Sequence, residues 1–300
     1  MTRLALKVDV DTLRGTLAGV PQRVSMLQRH RVNATFLFSL GPDNTGRALR
    51  RIFRPGFLAK VLRTSVGANY GLKTLSYGVL WPGPDIGRRA AATMRAVRDA
   101  GFEVGVHCHD HILWQDFVAR RDRDWTHRQM ALAVAAFERI FAERPRVHGA
   151  AGWQMNEFVP ELETEFGFAF ASDTRGVSPF RPVSAAGGTT CLQLPTTLPT
   201  LDEMVGLNGC TEANVADLVL ALTSRQTPEV QVFTLHAEIE GMRLAAVFEN
   251  LLLGWKQAGI TLCSLGELAR SLDSLRLPSQ RIVLGEVPGR SGTLACQAND

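Results

Sequence analysis

The chain has 300 residues, 45% of them hydrophobic and 21% charged, with 33 basic against 29 acidic side chains. That is the make-up of a globular protein able to bury a full core, which excludes a fibrous or disordered chain and makes any metal a matter of chemistry rather than of folding. Five cysteines (Cys108, Cys191, Cys210, Cys263 and Cys296), far apart and without a CxxC pair, argue against a disulfide framework or a structural zinc motif.

In chain order, residues 4–10 (LALKVDV) read as a strand ending in acids, 20–30 as a helix and 34–40 (ATFLFSL) as a second buried strand. Residues 85–100 are helical, and 102–106 form a strand that runs into the sequence His107-Cys-His-Asp-His111. A helix over 128–142, a short strand over 146–149, a helix over 157–166 and strands over 168–171 and 191–194 follow. The chain then reads as a helix at 214–225, a strong strand at 230–235 (VQVFTL), a helix at 244–258, a strand at 260–263 and a helix at 265–272. Past Pro278, Gly, Pro and Ser punctuation points to surface packing without an element. Repeated β-then-α units with short apolar strands imply a parallel sheet, closed or nearly closed as a barrel. The whole chain is expected to be one such domain.

A basic insertion at about 42–84 interrupts the pattern. Between 41 and 63, Arg47, Arg50, Arg51, Arg54, Lys60 and Arg63 face one acid, Asp43, and are interleaved with apolar residues including Phe53 and Phe57. A solvated helix face is one reading; an amphipathic segment lying on an anionic membrane surface is the other. No nucleic-acid motif accompanies the patch, and no obligate protein partner is evident. The chain opens without a basic-then-apolar leader, and no apolar run approaches the roughly 18–20 residues that span a bilayer, so a cytoplasmic protein is expected.

Barrels of this kind carry their chemistry at the C-terminal ends of strands. Asp9/Asp11, His107–His111 and His236/Glu238 all fall there, as does Ser172-Asp-Thr-Arg175. Asp9 and Asp11 are two apart, so on a strand they share a face, where two carboxylates repel unless a cation joins them; a helix-capping turn at Asp11 or Thr12 is the plainer reading. His107 and His111, at i and i+4, can reach one metal, and His109 would join them in an extended chain. His236 ends an apolar strand on the same rim, where a histidine can serve as a general acid. No G-x-S-x-G, G-x-x-x-x-G-K-[ST] or post-strand G-x-G-x-x-G is present, which lowers serine acyl transfer, P-loop chemistry and dinucleotide redox chemistry. One divalent metal held by one Asp and two His, flanked by a free Asp and a free His, suits hydrolysis of a carboxamide.

These residues, in the order D-x-D, H-x-x-x-H and a strand ending in L-H, resemble the polysaccharide deacetylase (NodB-homology) family. The stretches KVDVDTLRGT, FSLGPDNTGR, WPGPDIG, AAGWQ, SDTRG, PFRP, LPTTLPTLDE, TLHAEIEG and GRSGTLACQ are similar, nearly end to end, to its branch of deformylases acting on a formamido sugar carried by undecaprenyl phosphate. The resemblance implies an α/β fold, a distorted (β/α) barrel of about seven strands. It also implies metal ligation by Asp11, His107 and His111, with Asp9 as general base and His236 as general acid. Action would be at the cytoplasmic face of the bacterial inner membrane, supplying an amino sugar for lipid A and polymyxin resistance. The metal could be zinc, cobalt, manganese, iron or nickel. An Arg tethers the base in the wider family; the AAGW segment has none, and Arg175 beside Asp173 is the substitute the sequence offers. By position, Trp153, Asp173, Arg175 and Glu238 are expected to contact the sugar. The rivals are a deacetylase of another amino sugar or polysaccharide, and a non-catalytic, membrane-associated carbohydrate-binding barrel.

Overall fold

In the computed structural model, which describes residues 2–48, 71–184, 190–225, 230–273 and 276–298, the first strand sets the architecture. β1 (Arg3–Val10) is buried at every position after Arg3, the pattern of a parallel strand covered on both faces. Its side chains divide by parity. Leu4, Leu6, Val8 and Val10 enter the large core beneath the helices, while Ala5 joins a smaller inner cluster with Leu37, Val147, Phe170 and Val232. Lys7 and Asp9 share the parity of Ala5 and therefore face the inside of the curled sheet.

The remaining strands are β2 (Thr35–Ser39), β3 (Glu103–Cys108), β4 (Val147–His148), β5 (Phe170–Ala171), β6 (Arg181–Pro182), β7 (Leu192–Gln193), β8 (Val230–His236) and β9 (Thr261–Cys263). The main sheet runs β7-β5-β4-β3-β2-β1-β8, all parallel. β9 pairs with Arg3–Ala5 of β1, below the stretch Lys7–Val10 that pairs with β2. Past β7, the N–H groups of Thr197 and Leu198 donate to the Val232 carbonyl of β8 at 3.1 and 3.3 Å, and the Thr196 and Thr234 hydroxyls lie 2.7 Å apart. The sheet thus curls back on itself through an irregular segment, as the expected distorted barrel of about seven strands requires.

Helices cover the outside: α1 (Val20–Arg29), α2 (Ala91–Asp99), α3 (His111–Phe117), α4 (Arg123–Phe141), α5 (Val159–Phe166), α6 (Val215–Arg225), α7 (Ala245–Gln257) and α8 (Leu265–Ser271). α4 begins five residues before the apolar periodicity does, because the Asp122 carboxylate accepts from the Trp125 N–H at 2.8 Å and caps it. Met130, Ala133, Phe137, Ile140 and Phe141, at helical spacing, bury its inner face; truncating Phe137 to Ala would cost about 3–5 kcal/mol. The helix expected over 85–100 is broken at Ala90, whose φ of −116° leaves the helical range.

The tail departs most from expectation. β10 (Ser279–Gln280) pairs with β6, and β11 (Ile282–Glu286) with β12 (Thr293–Gln297) forms an antiparallel hairpin. In the basic insertion, Arg50, Arg51, Phe53, Arg54 and Phe57 lie outside the described residues.

Candidate active site

Three inward-facing positions meet at the C-terminal rim. In register, Asp9 of β1 stands beside His236 of β8, and His107 ends the inner row of β3. Asp9 is 3% exposed. One of its oxygens lies 3.6 Å from the Lys7 ammonium, and the other has no hydrogen-bond partner in the protein. Lys7, wholly buried, donates to the Ser172 carbonyl at 2.7 Å and lies over the Trp153 ring. The cation beside Asp9 is therefore Lys7, not Arg175.

Past β1 the chain turns sharply around Glu238. One Glu238 oxygen accepts from the N–H groups of Asp11 (3.1 Å) and Thr12 (2.9 Å) and from the Thr12 hydroxyl (2.8 Å). The Thr12 hydroxyl in turn accepts from the Gly15 N–H at 2.9 Å. The capping-turn reading is thus fulfilled by Thr12, which leaves the Asp11 carboxylate for other work. A Cβ on Gly15 would stand 1.9 Å from the Glu238 oxygen, so the close approach requires glycine. Glu238, expected to contact the sugar, is 0% exposed and holds the Asp11 turn from behind.

Asp11 Oδ1 lies 3.3 Å from His107 Nε2 and 3.5 Å from His111 Nε2, and the three candidate ligand atoms fall within 4.8 Å of one another. His107 Nδ1 is 2.6 Å from the Gly149 carbonyl. A carbonyl only accepts, so Nδ1 carries a proton there and Nε2 is turned towards Asp11. His111 opens α3, whose N-cap is Asp110, accepting from the Leu113 N–H at 3.0 Å. The i, i+4 spacing thus spans a strand end and the first turn of a helix. Asp11 Oδ1 is buried and has no hydrogen-bond donor. Burial would raise the Asp11 pKa, but His111 and His107 overcome it and hold the carboxyl far below its usual range. A buried, ionised oxygen facing two imidazole nitrogens, with nothing donating to it, fits a divalent cation. His109 is outside this group; its ring packs against Gly41. Cys108 points outward into the core, its thiol pushed up by burial.

His236 Nδ1 faces Asp202 Oδ1 at 4.0 Å, and the edge of its ring meets Trp153 with centroids 6.3 Å apart. Trp153 and the preceding Gly152 both adopt left-handed backbone (φ 52° and 63°), uncommon for a bulky residue and typical of functional segments. Trp153 is 2% exposed, part of the floor rather than the opening. Arg175 is paired with Glu203, donates to the Leu198 carbonyl and lies over the same ring.

Asp173 belongs to a second buried group. His148 Nδ1 lies 2.7 Å from Glu163 and 3.1 Å from Asp173, while Gln193 bonds to both carboxylates. Burial alone would discharge His148; the flanking Asp173 and Glu163 reverse this and raise its pKa to about 10. Burial, reinforced by Asp173, pushes Glu163 well up. Asp173 also accepts from the Ala150 N–H at 2.6 Å, which steadies the loop whose Gly149 carbonyl orients His107. Asp173, expected to contact the sugar, is thus 0% exposed and engaged by His148, Gln193 and Ala150. Lys7 and Asp202 are the site residues sequence reasoning missed. The parity of K-x-D on β1 signals the first; the second lies in the stretch LPTTLPTLDE, within the T-x-x-E capping box of its short helix.

The chain is 36% identical over 299 residues to the probable 4-deoxy-4-formamido-L-arabinose-phosphoundecaprenol deformylase ArnD of Shewanella sediminis (strain HAW-EB3), a match covering 100% of this chain and 96% of that one. It is 32% identical over 284 residues to the protein of the same name from Wigglesworthia glossinidia brevipalpis, covering 94% and 98%. Among solved structures it is similar to a candidate polysaccharide deacetylase from Mycobacterium smegmatis (TM-score 0.65, 16% identity, 95% and 96% covered). It is also similar to a probable polysaccharide deacetylase from Pseudomonas aeruginosa PAO1 (TM-score 0.57, 15% identity, 90% of each chain). At these identities the structural likenesses establish the fold. No protein-family model matches the chain.

Proposed function

The chain belongs to the family of 4-deoxy-4-formamido-L-arabinose-phosphoundecaprenol deformylases, and from that premise we propose how its residues carry out the hydrolysis. The reaction removes formate from the formamide of the undecaprenyl-phosphate-linked sugar and leaves the free amine. The observation that carries the site assignment is the buried, donorless Asp11 oxygen facing His107 and His111, with Asp9 and His236 in register beside each other. Asp11, His107 and His111 would hold one divalent ion, which when bound polarises the acyl oxygen and acidifies a water. Zinc, cobalt, manganese, iron and nickel all suit this donor set.

In this reading Asp9 takes the proton of the attacking water as the new C–O bond forms, with Lys7 steadying its carboxylate. The C–N bond then breaks as His236 delivers a proton to the departing nitrogen, so that water's atoms end in formate and amine. Asp202 lies 4.0 Å from Nδ1, beyond a hydrogen bond, and its charge would draw the ring proton to that side and leave Nε2 for the leaving group. Trp153 excludes water from beneath.

The lipid-borne substrate also implies docking at the cytoplasmic face of an anionic membrane. The basic run at 47–63 and the consecutive exposed side chains Val79 (53%), Leu80 (74%) and Trp81 (69%) support this, in one barrel domain with the insertion as its membrane element. Among the described residues no helix is long and apolar enough to cross a membrane. Arg47 has another part: half-buried, it donates to the Gly78 carbonyl at 3.2 Å and braces the turn bearing Trp81. The test is a release assay on the formamido sugar lipid and its N-acetyl analogue. Formate should be released and acetate far more slowly; equal release of both would overturn the substrate assignment.

A further inference from the structure

The C-terminal hairpin lies outside the barrel, yet one of its side chains enters the site. β12 is fastened to the rim beyond β5: the Arg175 N–H donates to the Ala295 carbonyl at 2.9 Å, and the Gln297 N–H to the Arg175 carbonyl at 2.7 Å. The Gln297 side chain accepts from the Val177 N–H at 2.7 Å. This attachment places the turn between β11 and β12 over the segment 200–203 and points Arg290 inward.

Every nitrogen of the Arg290 guanidinium is engaged there. Nε donates to Glu203 at 2.7 Å. One terminal nitrogen lies 3.1 Å from Asp202 Oδ2, and the other donates to Asp202 Oδ1 at 3.1 Å and to the Thr200 hydroxyl at 3.0 Å. Its Cζ lies 4.7 Å from the centroid of the Trp153 ring. Asp202 and Glu203 are adjacent carboxylates, 8% and 2% exposed, which would repel without cations between them. Burial would raise the Glu203 pKa, and Arg290 and then Arg175 bring it below the ordinary carboxylate value. Arg175 engages Glu203, whereas Arg290 grips both oxygens of Asp202, the carboxylate that faces His236 Nδ1.

We propose that Arg290, delivered by the C-terminal hairpin, is a positioning residue for the general acid: its fork fixes Asp202, and Asp202 fixes the His236 ring. The idea rests on His236 being the proton donor to the departing amine. A fork that grips both oxygens sets the plane of a carboxylate as well as its place, which a lysine ammonium does not. The hairpin would then be a working part of the deformylase site.

The test is kinetic, on full-length, metal-loaded protein: Arg290→Met, Arg290→Lys, Asp202→Asn and the Arg290→Met/Asp202→Asn double variant, with metal content and melting temperature measured alongside. Arg290→Met should lower kcat by about 10- to 100-fold, the scale of a misplaced catalytic group, with KM changed by no more than about twofold. Arg290→Lys should recover part of the loss. In the Asp202→Asn background, removing Arg290 should add no more than about twofold, because both act through one carboxylate. A folded, metal-loaded Arg290→Met with wild-type kcat would overturn the proposal, as would losses that multiply in the double variant. If Arg290→Met does not fold, the same cycle with Arg290→Lys decides by the same criterion. Wild-type protein that releases no formate refutes the deformylase reading instead, so the two failures are distinct.

Discussion

Replacing Lys7 by methionine removes the cation that lies 3.6 Å from the Asp9 carboxylate, in a site where Lys7 is wholly buried and Asp9 is 3% exposed. At that distance and an effective dielectric of about 20, the attraction amounts to about 4–5 kcal/mol. Methionine keeps most of the buried stem, so the loss is mainly of charge. The Ser172 carbonyl also loses its donor at 2.7 Å. Because desolvation of the ammonium offsets part of the attraction, the expected net destabilisation is about 3–5 kcal/mol, the range for removing one partner of a buried pair. Urea unfolding of the metal-free protein measures it, with formate release by the metal-loaded variant as the second readout, expected to fall as Asp9 loses its brace. The Lys7→Met/Asp9→Asn double variant leaves neither charge unpaired and should regain at least half of the lost stability. A single variant within about 1 kcal/mol of wild type and with normal turnover would refute the pairing of Lys7 with Asp9, as would a double variant whose loss equals the sum of the singles.

Gly15→Ala should destabilise by about 1–3 kcal/mol, since its Cβ would meet the buried Glu238 carboxylate at 1.9 Å; a melting temperature equal to wild type would show that the Asp11 turn tolerates more room than it displays. The His148 cluster gives a pH dependence of definite sign. His148 is raised from 6.5 to about 10 and Glu163 is raised as well, so the folded state holds more protons than the unfolded chain. The share of His148 is therefore fully expressed below pH 6.5 and declines as pH rises towards about 10; Glu163 adds to that loss from lower pH, whereas Asp173, held below the ordinary carboxylate range, loses its share only in acid. His148→Gln should flatten that decline in a series of denaturation curves, and an unchanged slope would mean that the cluster is not charged as described. Charge reversal at Arg50, Arg51 and Arg54, or Trp81→Ser, should weaken flotation with anionic liposomes without altering metal content; full binding by both variants would remove the membrane-docking reading.

Much of the site was legible because strand parity is a strong local rule. A period of two places Asp9 and His236 on the inner face, and the i, i+4 pair His107/His111 converges whether the chain there is a loop or, as found, a strand passing into α3. Lys7 obeys the same rule and was available to it. The acids just past strand ends were harder. Backbone N–H groups at those tight turns need acceptors, so Glu238 and Asp173 fold behind the rim to serve Asp11, Thr12 and Ala150 rather than facing the cleft. Arg290 and Asp202 are 88 positions apart in sequence, and no local periodicity records a contact of that range. The tail hairpin escaped for a related reason: β11 is half exposed and lacks the apolar alternation that marks a strand.

The most direct test of the central claim separates holding the metal from moving the proton. Metal content and formate release are measured together on wild-type protein, Asp9→Ala and His111→Ala, each purified and reloaded with the same divalent ion. Asp9→Ala should keep about one metal per chain and lose turnover by roughly 100-fold or more, as removal of a general base does, whereas His111→Ala should lose both. An Asp9→Ala variant that still releases formate at the wild-type rate, or a His111→Ala variant that keeps its metal, would contradict the assignment of base and ligand.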